Sequence, residues 1–379
     1  MLPENIFLEI FDFYMHQARN QFFIEAWQTL VHVCRGWRNI VFGSPRRLEL
    51  RLLFTARTPA KGKLDVWPAF PICIREHGFI SDADNIIAIL EHNDRICEIV
   101  LYEVPNLLLE KVSAALMQNP SPALTQLQLV SDGETTPLLP PNPFSGGSVP
   151  NLREVLLDGI PFPELPKLIL SNTHLVDLTL LSIPHHGYIS PEAAVACVSA
   201  LTNLEQLYVE FQLPQPHVDL ENQHPHPPSR SVLPSLAIFS FKGLGEYLDD
   251  LMARIDTPCL DYFSITLFDQ IVSNTSQLVH FVNRTPNLKE PDEAHAIFDD
   301  GAVWVTVSSP GSGKLSVEIP CVGPEMQLVS LAQFCTLLSS LLLRSGTSTS
   351  TNKNALNQNF RMRISITPSG RDSYVHLLL

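Results

Sequence analysis

One short pattern, leucine-x-x-apolar-x-apolar, constrains this chain more than any other feature. It runs Ile96-x-x-Ile99-x-Leu101, Leu124-x-x-Leu127-x-Leu129, Leu152-x-x-Val155-x-Leu157 and Leu175-x-x-Leu178-x-Leu180. It continues as Leu204-x-x-Leu207-x-Val209, Leu236-x-x-Phe239-x-Phe241 and Leu260-x-x-Phe263-x-Ile265. Successive copies start 28, 28, 23, 29, 32 and 24 residues apart. The last two apolar positions alternate as on a strand, so both side chains point to one face, while the first leucine packs beneath. A single strand with its return segment is too small to bury that face. Neighbouring units must therefore stack and share one continuous core.

Helical signals fill the intervals. Asp82–His92 follows Ser81, a good N-cap, and places Ile86, Ile87, Ile89 and Leu90 on one side. Leu107–Gln118, Pro191–Leu201 (Ser190 as cap, Pro191 at the first helical position), Leu244–Arg254 and Ser276–Arg284 read the same way. Strand-plus-return units of about 20–29 residues are the mark of a leucine-rich repeat. The expected fold is α/β: an open leucine-rich-repeat solenoid. After Asn287-Leu288 the pattern degenerates, with Pro291 where a core residue should stand. Val303–Val307 and Lys314–Ile319 then read as a hairpin and Phe360–Thr367 with Tyr374–Leu379 as a last strand pair, an irregular C-terminal cap. Residues 212–231, with five prolines and no periodicity, read as an insertion on one face.

Charge and cysteine usage narrow the function classes. Formal net charge is −14, which opposes nucleic-acid binding on electrostatic grounds. The seven cysteines are odd in number, scattered and free of CxxC pairs, so the reading is an intracellular chain of the cytoplasm or nucleus without a disulfide framework or zinc cluster. The opening residues carry acids where a secretory leader carries bases. One long uncharged stretch, Met326–Leu343, repeats polar residues (Gln327, Ser330, Gln333, Thr336) every three or four positions, the signature of an amphipathic helix and not of a membrane span.

The first 45 residues differ in kind. Leu2, Ile6, Ile10 and Phe13 are spaced for one helical face, and Glu25–Val41 reads as a second helix stacking Trp27, Leu30, Val31, Cys34, Trp37 and Val41, ended by Gly43-Ser44-Pro45. Two such helices are too small to close a core alone. Leu2-Pro3-Glu4-Asn5-Ile6 with Ile10 resembles the opening of an F-box, LPxEIxxxI, and Val33-Cys34-Arg35-Gly36-Trp37-Arg38 is similar to its second signature, VCRxWR. Asn39–Pro45 resembles the fungal branch in which leucine-rich repeats follow the box. The segment between the two signatures, Tyr14–Glu25, is longer than in most F-boxes, and Glu25-Ala26-Trp27 replaces the usual aspartate-leucine start of the second helix.

The resemblance implies a non-catalytic substrate receptor of a cullin-RING ubiquitin ligase, with the box binding the adaptor subunit and the repeats holding a client protein. It divides the chain into a helical box (1–45), a connecting segment (46–70), the solenoid (71–290) and degenerate repeats with a cap (291–379). Adaptor-facing or interface-shaping residues would be Leu2, Pro3, Ile6, Ile10, Val33, Cys34 and Trp37, with Arg38 at the rim. The same chemistry suits Trp37 for packing inward. Client contacts would come from outward positions of the strands: Gln126, Gln128, Arg153, Glu154, Asp177, Thr179, Glu205, Gln206 and Tyr208. The other reading is a structural scaffold with a vestigial box. No cofactor, metal, nucleic acid or membrane enters either.

Three motifs point elsewhere and fall short. Pro310-Gly311-Ser312-Gly313-Lys314 lacks the first glycine and the final Ser/Thr of a phosphate loop, having Ser308 and Leu315 there, and reads as a hairpin turn. His185-His186 and the His217, His224, His226 run lack metal-site spacing. Residues 246–300 hold eleven acids against three bases, net −8, and read as a solvated face or a patch steering a basic client.

Overall fold

The computed structural model describes residues 3–20, 24–78, 84–118, 120–133, 149–161, 172–213, 229–268, 276–289, 293–299, 301–308 and 313–321. It also describes residues 325, 327, 329, 330, 332, 361–366 and 373–378. The chain divides into two compact units, residues 1–154 and 155–379. Both are mixed α/β, and their sheets are mostly parallel.

The first unit opens with α1 (Glu4–Asn20), α2 (Trp27–Val33) and α3 (Arg35–Gly43). The expected second helix is therefore two. Cys34 breaks it with an extended backbone (φ −160°, ψ 168°), and its Sγ accepts the Trp37 amide at 3.4 Å as the cap of α3. The apolar spacing ran straight through the break, which is why periodicity alone reads one helix. Strands β1 (Leu52–Phe54), β2 (Ile72–Glu76), β3 (Ile96–Val104) and β4 (Gln126–Ser131) follow, all parallel neighbours. Helices α4 (Ala60–Val66), α5 (Asp84–Leu90) and α6 (Asn106–Gln118) lie between them. The segment 46–70 is thus a strand and a helix instead of a plain connection. Leu48, Leu50, Leu52 and Phe54 alternate into the core, a signal the leucine-x-x pattern does not contain. Trp27 fastens the helices to this start. It is fully buried, meets the Trp67 ring edge-on at 4.9 Å and donates its indole N–H to Arg51 O at 2.9 Å.

The second unit carries β5 (Glu154–Asp158, whose first residue closes the first unit), β6 (Asp177–Ile183), α7 (Pro191–Val198), β7 (Gln206–Phe211) and β8 (Ser231–Val232). Then come β9 (Ile238–Gly243), α8 (Gly245–Arg254), β10 (Ile255–Asp256), β11 (Tyr262–Leu267) and α9 (Ser276–Arg284). Strands β6, β7, β9 and β11 are successive parallel neighbours in register, so that Leu178, Leu207, Phe239 and Phe263 form one buried rung. Phe239 stacks on Phe263 at 5.2 Å with the rings 7° from parallel. Ser190 caps α7, its Oγ accepting the Ala193 amide at 3.2 Å.

Two hydrogen-bond devices recur from unit to unit. The amides that open these strands converge on the carbonyl just before the preceding strand: Glu205 and Gln206 on Val176 O, Ala237 and Ile238 on Glu205 O, Asp261 and Tyr262 on Ala237 O. The residue just before the first leucine also donates back. Asn203 Nδ2 reaches Thr173 O at 2.8 Å, Ser235 Oγ reaches Thr202 O at 2.7 Å, and in the first unit Asn151 Nδ2 reaches Pro122 O at 2.7 Å. The sequence carried this signal as a polar residue preceding Leu204, Leu236 and Leu152.

Beyond Leu288 the order changes. β12 (Glu293–Asp299), β13 (Ala302–Ser308) and β14 (Lys314–Pro320) form an antiparallel meander, and β14, the last in sequence, lies parallel beside β11. β15 (Arg361–Ile366) runs parallel to β12 and antiparallel to β16 (Ser373–Leu378). The expected hairpin and last pair are present, and β12 is the strand periodicity missed. Gly313, just before β14, sits where neighbouring backbone approaches closely. A Cβ there would lie 2.7 Å from Asp261 O and 3.0 Å from Asn287 O. The glycine that suggested a phosphate loop serves close packing between strands, and its flanks are strand and strand. Of the expected amphipathic helix 326–343, the described residues place Gln327 and Ser330 inside and Val329 outside, so the polar stripe does not face water there. No helix among the described residues is long and apolar enough to cross a membrane.

Candidate functional site

Helix α1 is apolar on two faces. Phe7, Phe11 and Met15 turn toward the rest of the unit, with Phe11 and Met15 fully buried. Ile6, Ile10 and Phe13, at i, i+4 and i+7, form a second stripe about 120–140° away at 100° per residue. They are 40 %, 48 % and 64 % exposed, and Tyr14 beside them is also exposed. An apolar helix stripe normally packs against a neighbour. Here one side is open.

The residues of the two signatures separate by role. Pro3 is exposed and its carbonyl accepts the Ile6 and Phe7 amides, starting α1. Val33, the last residue of α2, is 56 % exposed. Cys34 is exposed and caps α3. Its expected place on a buried stripe with Trp27, Leu30, Val31 and Val41 is not observed, because the break rotates it outward. Trp37 packs inward between Phe7 (6.0 Å) and Phe11 (4.8 Å), joining α3 to α1. Arg38 is exposed at its head group's rim but donates Nε–H to Val31 O at 3.1 Å, closing the corner between α2 and α3. Leu2 lies outside the described residues. The stripe therefore consists of Ile6, Ile10 and Phe13, with Pro3 at its start and Val33 on the adjoining helix. Phe13, which the spacing had placed on this face, is its most open member.

The outward strand positions are partly or fully exposed in both units. In the first, Gln126 and Gln128 flank buried Leu127, and Gln128 accepts the Tyr102 hydroxyl at 3.1 Å. Arg153 is exposed and precedes β5, and Glu154 is the strand's first residue. In the second, Asp177 pairs in register with Gln206, and Thr179 with Tyr208. Thr179 donates to the Asp177 carboxylate at 3.0 Å, and the Tyr208 hydroxyl lies 3.4 Å from the Gln206 side-chain oxygen. Partial burial raises the Asp177 carboxyl above its ordinary range, opposed by the Thr179 hydrogen bond. Glu205 lies before β7, not on it.

A further outward row was not legible because it depends on the reordered C-terminal strands. By register it runs Glu210, Lys242, Thr266, Glu318, Trp304 and Ile297. Lys242 meets Glu210 at 2.5 Å, Thr266 donates to Glu318 at 2.8 Å, and Trp304 and Ile297 are an exposed cross-strand pair.

Among the described acids of 246–300, two hold neighbouring elements in place. Asp249 accepts the Gln277 and Leu278 amides at 2.9 and 3.0 Å, holding the start of α9, while Asp250 and Glu192 grip Arg254. Asp269, Glu290, Asp292 and Asp300 of this stretch lie outside the described residues. Two of the scattered cysteines meet. Cys73 and Cys97, one repeat apart on neighbouring strands, bring their sulfurs within 3.7 Å. The hydrogen bond from Cys73 lowers the Cys97 pKa, with Arg51 assisting, whereas that bond and burial raise Cys73. Among the described residues no group of three His, Cys, Asp or Glu could hold a metal. His185 is exposed, and His217, His224 and His226 lie outside the described residues.

Compared with protein-family models, curated proteins and solved structures, the chain matches none.

Proposed function

We propose that the chain is a non-catalytic substrate receptor of a cullin-RING ubiquitin ligase, an F-box-like helical segment joined to an open leucine-rich-repeat solenoid. The observation that carries this reading is the open stripe Ile6, Ile10 and Phe13 on a helix whose other apolar face is already packed. An apolar helix face left uncovered suits a partner groove. The partner is named by the resemblance of residues 2–6 and 33–38 to the two F-box signatures. Support for the solenoid comes from the in-register parallel strands and their repeated hydrogen bonds. The client would lie on the outward strand positions, and ubiquitin chemistry would belong to other subunits, with this chain contributing proximity.

The test is capture of the purified adaptor subunit by the full chain. Ile6→Asp/Ile10→Asp and Phe13→Asp change only exposed positions, so their circular dichroism should match the wild type. Adaptor recovery should fall at least about tenfold, as expected for a charge placed in an apolar contact. Equal recovery by all three would end the receptor reading and leave a scaffold whose helices merely look like a box.

A further inference from the structure

Arg284, the last residue of α9, is held on one edge and idle on the other. Its Nε donates to the Asp256 carboxylate, and one terminal nitrogen donates to Ile255 O at 2.7 Å and to Met252 O. The guanidinium carbon lies 5.2 Å from the Phe281 ring centre. The other terminal nitrogen is buried with no hydrogen-bond partner, and so is Nδ2 of the preceding Asn283. Two orphaned donors side by side are uncommon, because each leaves a desolvated N–H without compensation.

Both residues line one open cleft together with Arg230, Gln277 and His280. Gln277, His280 and Arg284 share a helix face at i, i+3 and i+7. Arg230 enters from the start of β8, which pairs with β10. Its Nε is tied to Ala253 O at 3.3 Å. Burial lowers the Arg284 pKa, the Asp256 hydrogen bond restores part of it, and the nearby Arg230 charge lowers it again. Two positive charges thus stand near one another, and the Asp256 carboxylate pairs with Arg284. The α9 C-terminus contributes about half a negative charge, which the surplus positive charge outweighs.

The geometry points to an anion site that takes a phosphate group, either free or as a monoester. Phosphate fits better than a carboxylate because donors converge from two elements, and a tetrahedral anion offers oxygens in more than one plane. The fixed edge of Arg284 presets the free edge, so little side-chain entropy is lost on binding.

The experiment titrates the full chain with inorganic phosphate and, separately, with N-acetyl-O-phosphoserine amide, at constant ionic strength, by calorimetry. Arg284 itself is left intact because it holds two carbonyls. Arg230→Gln and Asn283→Leu are the probes, with circular dichroism to verify folding. Saturable binding of either ligand by wild type, weakened about tenfold or more in Arg230→Gln and also reduced in Asn283→Leu, supports the site. Binding of phosphate alone assigns it to the free ion, and tighter binding of the phosphoserine derivative assigns it to a monoester. No saturable binding by wild type, or equal binding by wild type and both variants, overturns it.

Discussion

The indole of Trp37 lies 4.8 Å from the ring of Phe11, centre to centre, tilted by 58°. That contact assigns the aromatic of the second signature to holding α3 on α1, while the open stripe of α1 is left to other residues. Folding and the proposed docking are therefore separable by mutation. Trp37→Ala should destabilise the first unit by about 2–3 kcal/mol, less than a fully buried tryptophan because its side chain keeps some exposure. Ile10→Ala should stay within about 0.5 kcal/mol. Urea unfolding followed by tryptophan fluorescence and circular dichroism measures both. Comparable losses would mean that the stripe belongs to the core.

The strands were legible because leucine-x-x-apolar-x-apolar combines a period of two with a fixed repeat. Leu178, Leu207, Phe239 and Phe263 occupy equivalent places in it and are one rung in the fold. The helices between them were legible from caps, as Ser190 illustrates. What periodicity could not convey was local backbone geometry. Cys34 fits the apolar spacing of a continuous helix, yet its extended conformation ends one helix and caps the next. Long-range order was equally hidden. Nothing local in Lys314–Pro320 says that it, and not β12, lies beside β11. Of the open stripe, Ile6, Ile10 and Phe13 were readable from spacing; which aromatic turned inward required the packing of Phe7 and Phe11 around Trp37.

The backward hydrogen bond from Asn203 to Thr173 O gives a second test. Asn203→Ala removes the donor and should cost about 1 kcal/mol, the net value of one such bond at a solvent-facing site. Asn203→Ser should recover part of the loss, since Ser235 makes the equivalent bond one unit later. Thermal unfolding of the three proteins decides it. If serine were no better than alanine, the bond would not be what asparagine supplies.

Gly313 supports a steric prediction. A methyl group there would stand 2.7 Å from one backbone oxygen and 3.0 Å from another, neither of which can rotate away. Gly313→Ala should destabilise by about 2 kcal/mol or more, in the range of overpacked cores. Gly301→Ala, where nothing lies within 4 Å of the added carbon, is the matched control and should change stability by about 0.5 kcal/mol or less. Chemical denaturation midpoints compare them, and equal effects would remove close packing as the reason for glycine at 313.

Asp177 links pH to stability with a definite sign. Burial raises its carboxyl pKa in the folded chain, so the folded state binds this proton more tightly than the unfolded one. The stabilisation from protonation is complete below the unfolded carboxyl pKa and is lost as pH rises through the higher folded value. At neutral pH the ionised group is therefore a small liability. Asp177→Asn removes the charge and keeps an oxygen to accept the Thr179 hydroxyl. The variant should be at least as stable as wild type at pH 7, and its advantage should shrink as pH falls into the carboxylate range. Paired urea melts from pH 7 down to the lowest pH at which both proteins fold give the comparison. An advantage that grew on acidification would reverse the sign of the shift and place the Asp177 carboxylate in a favourable, not a desolvated, setting.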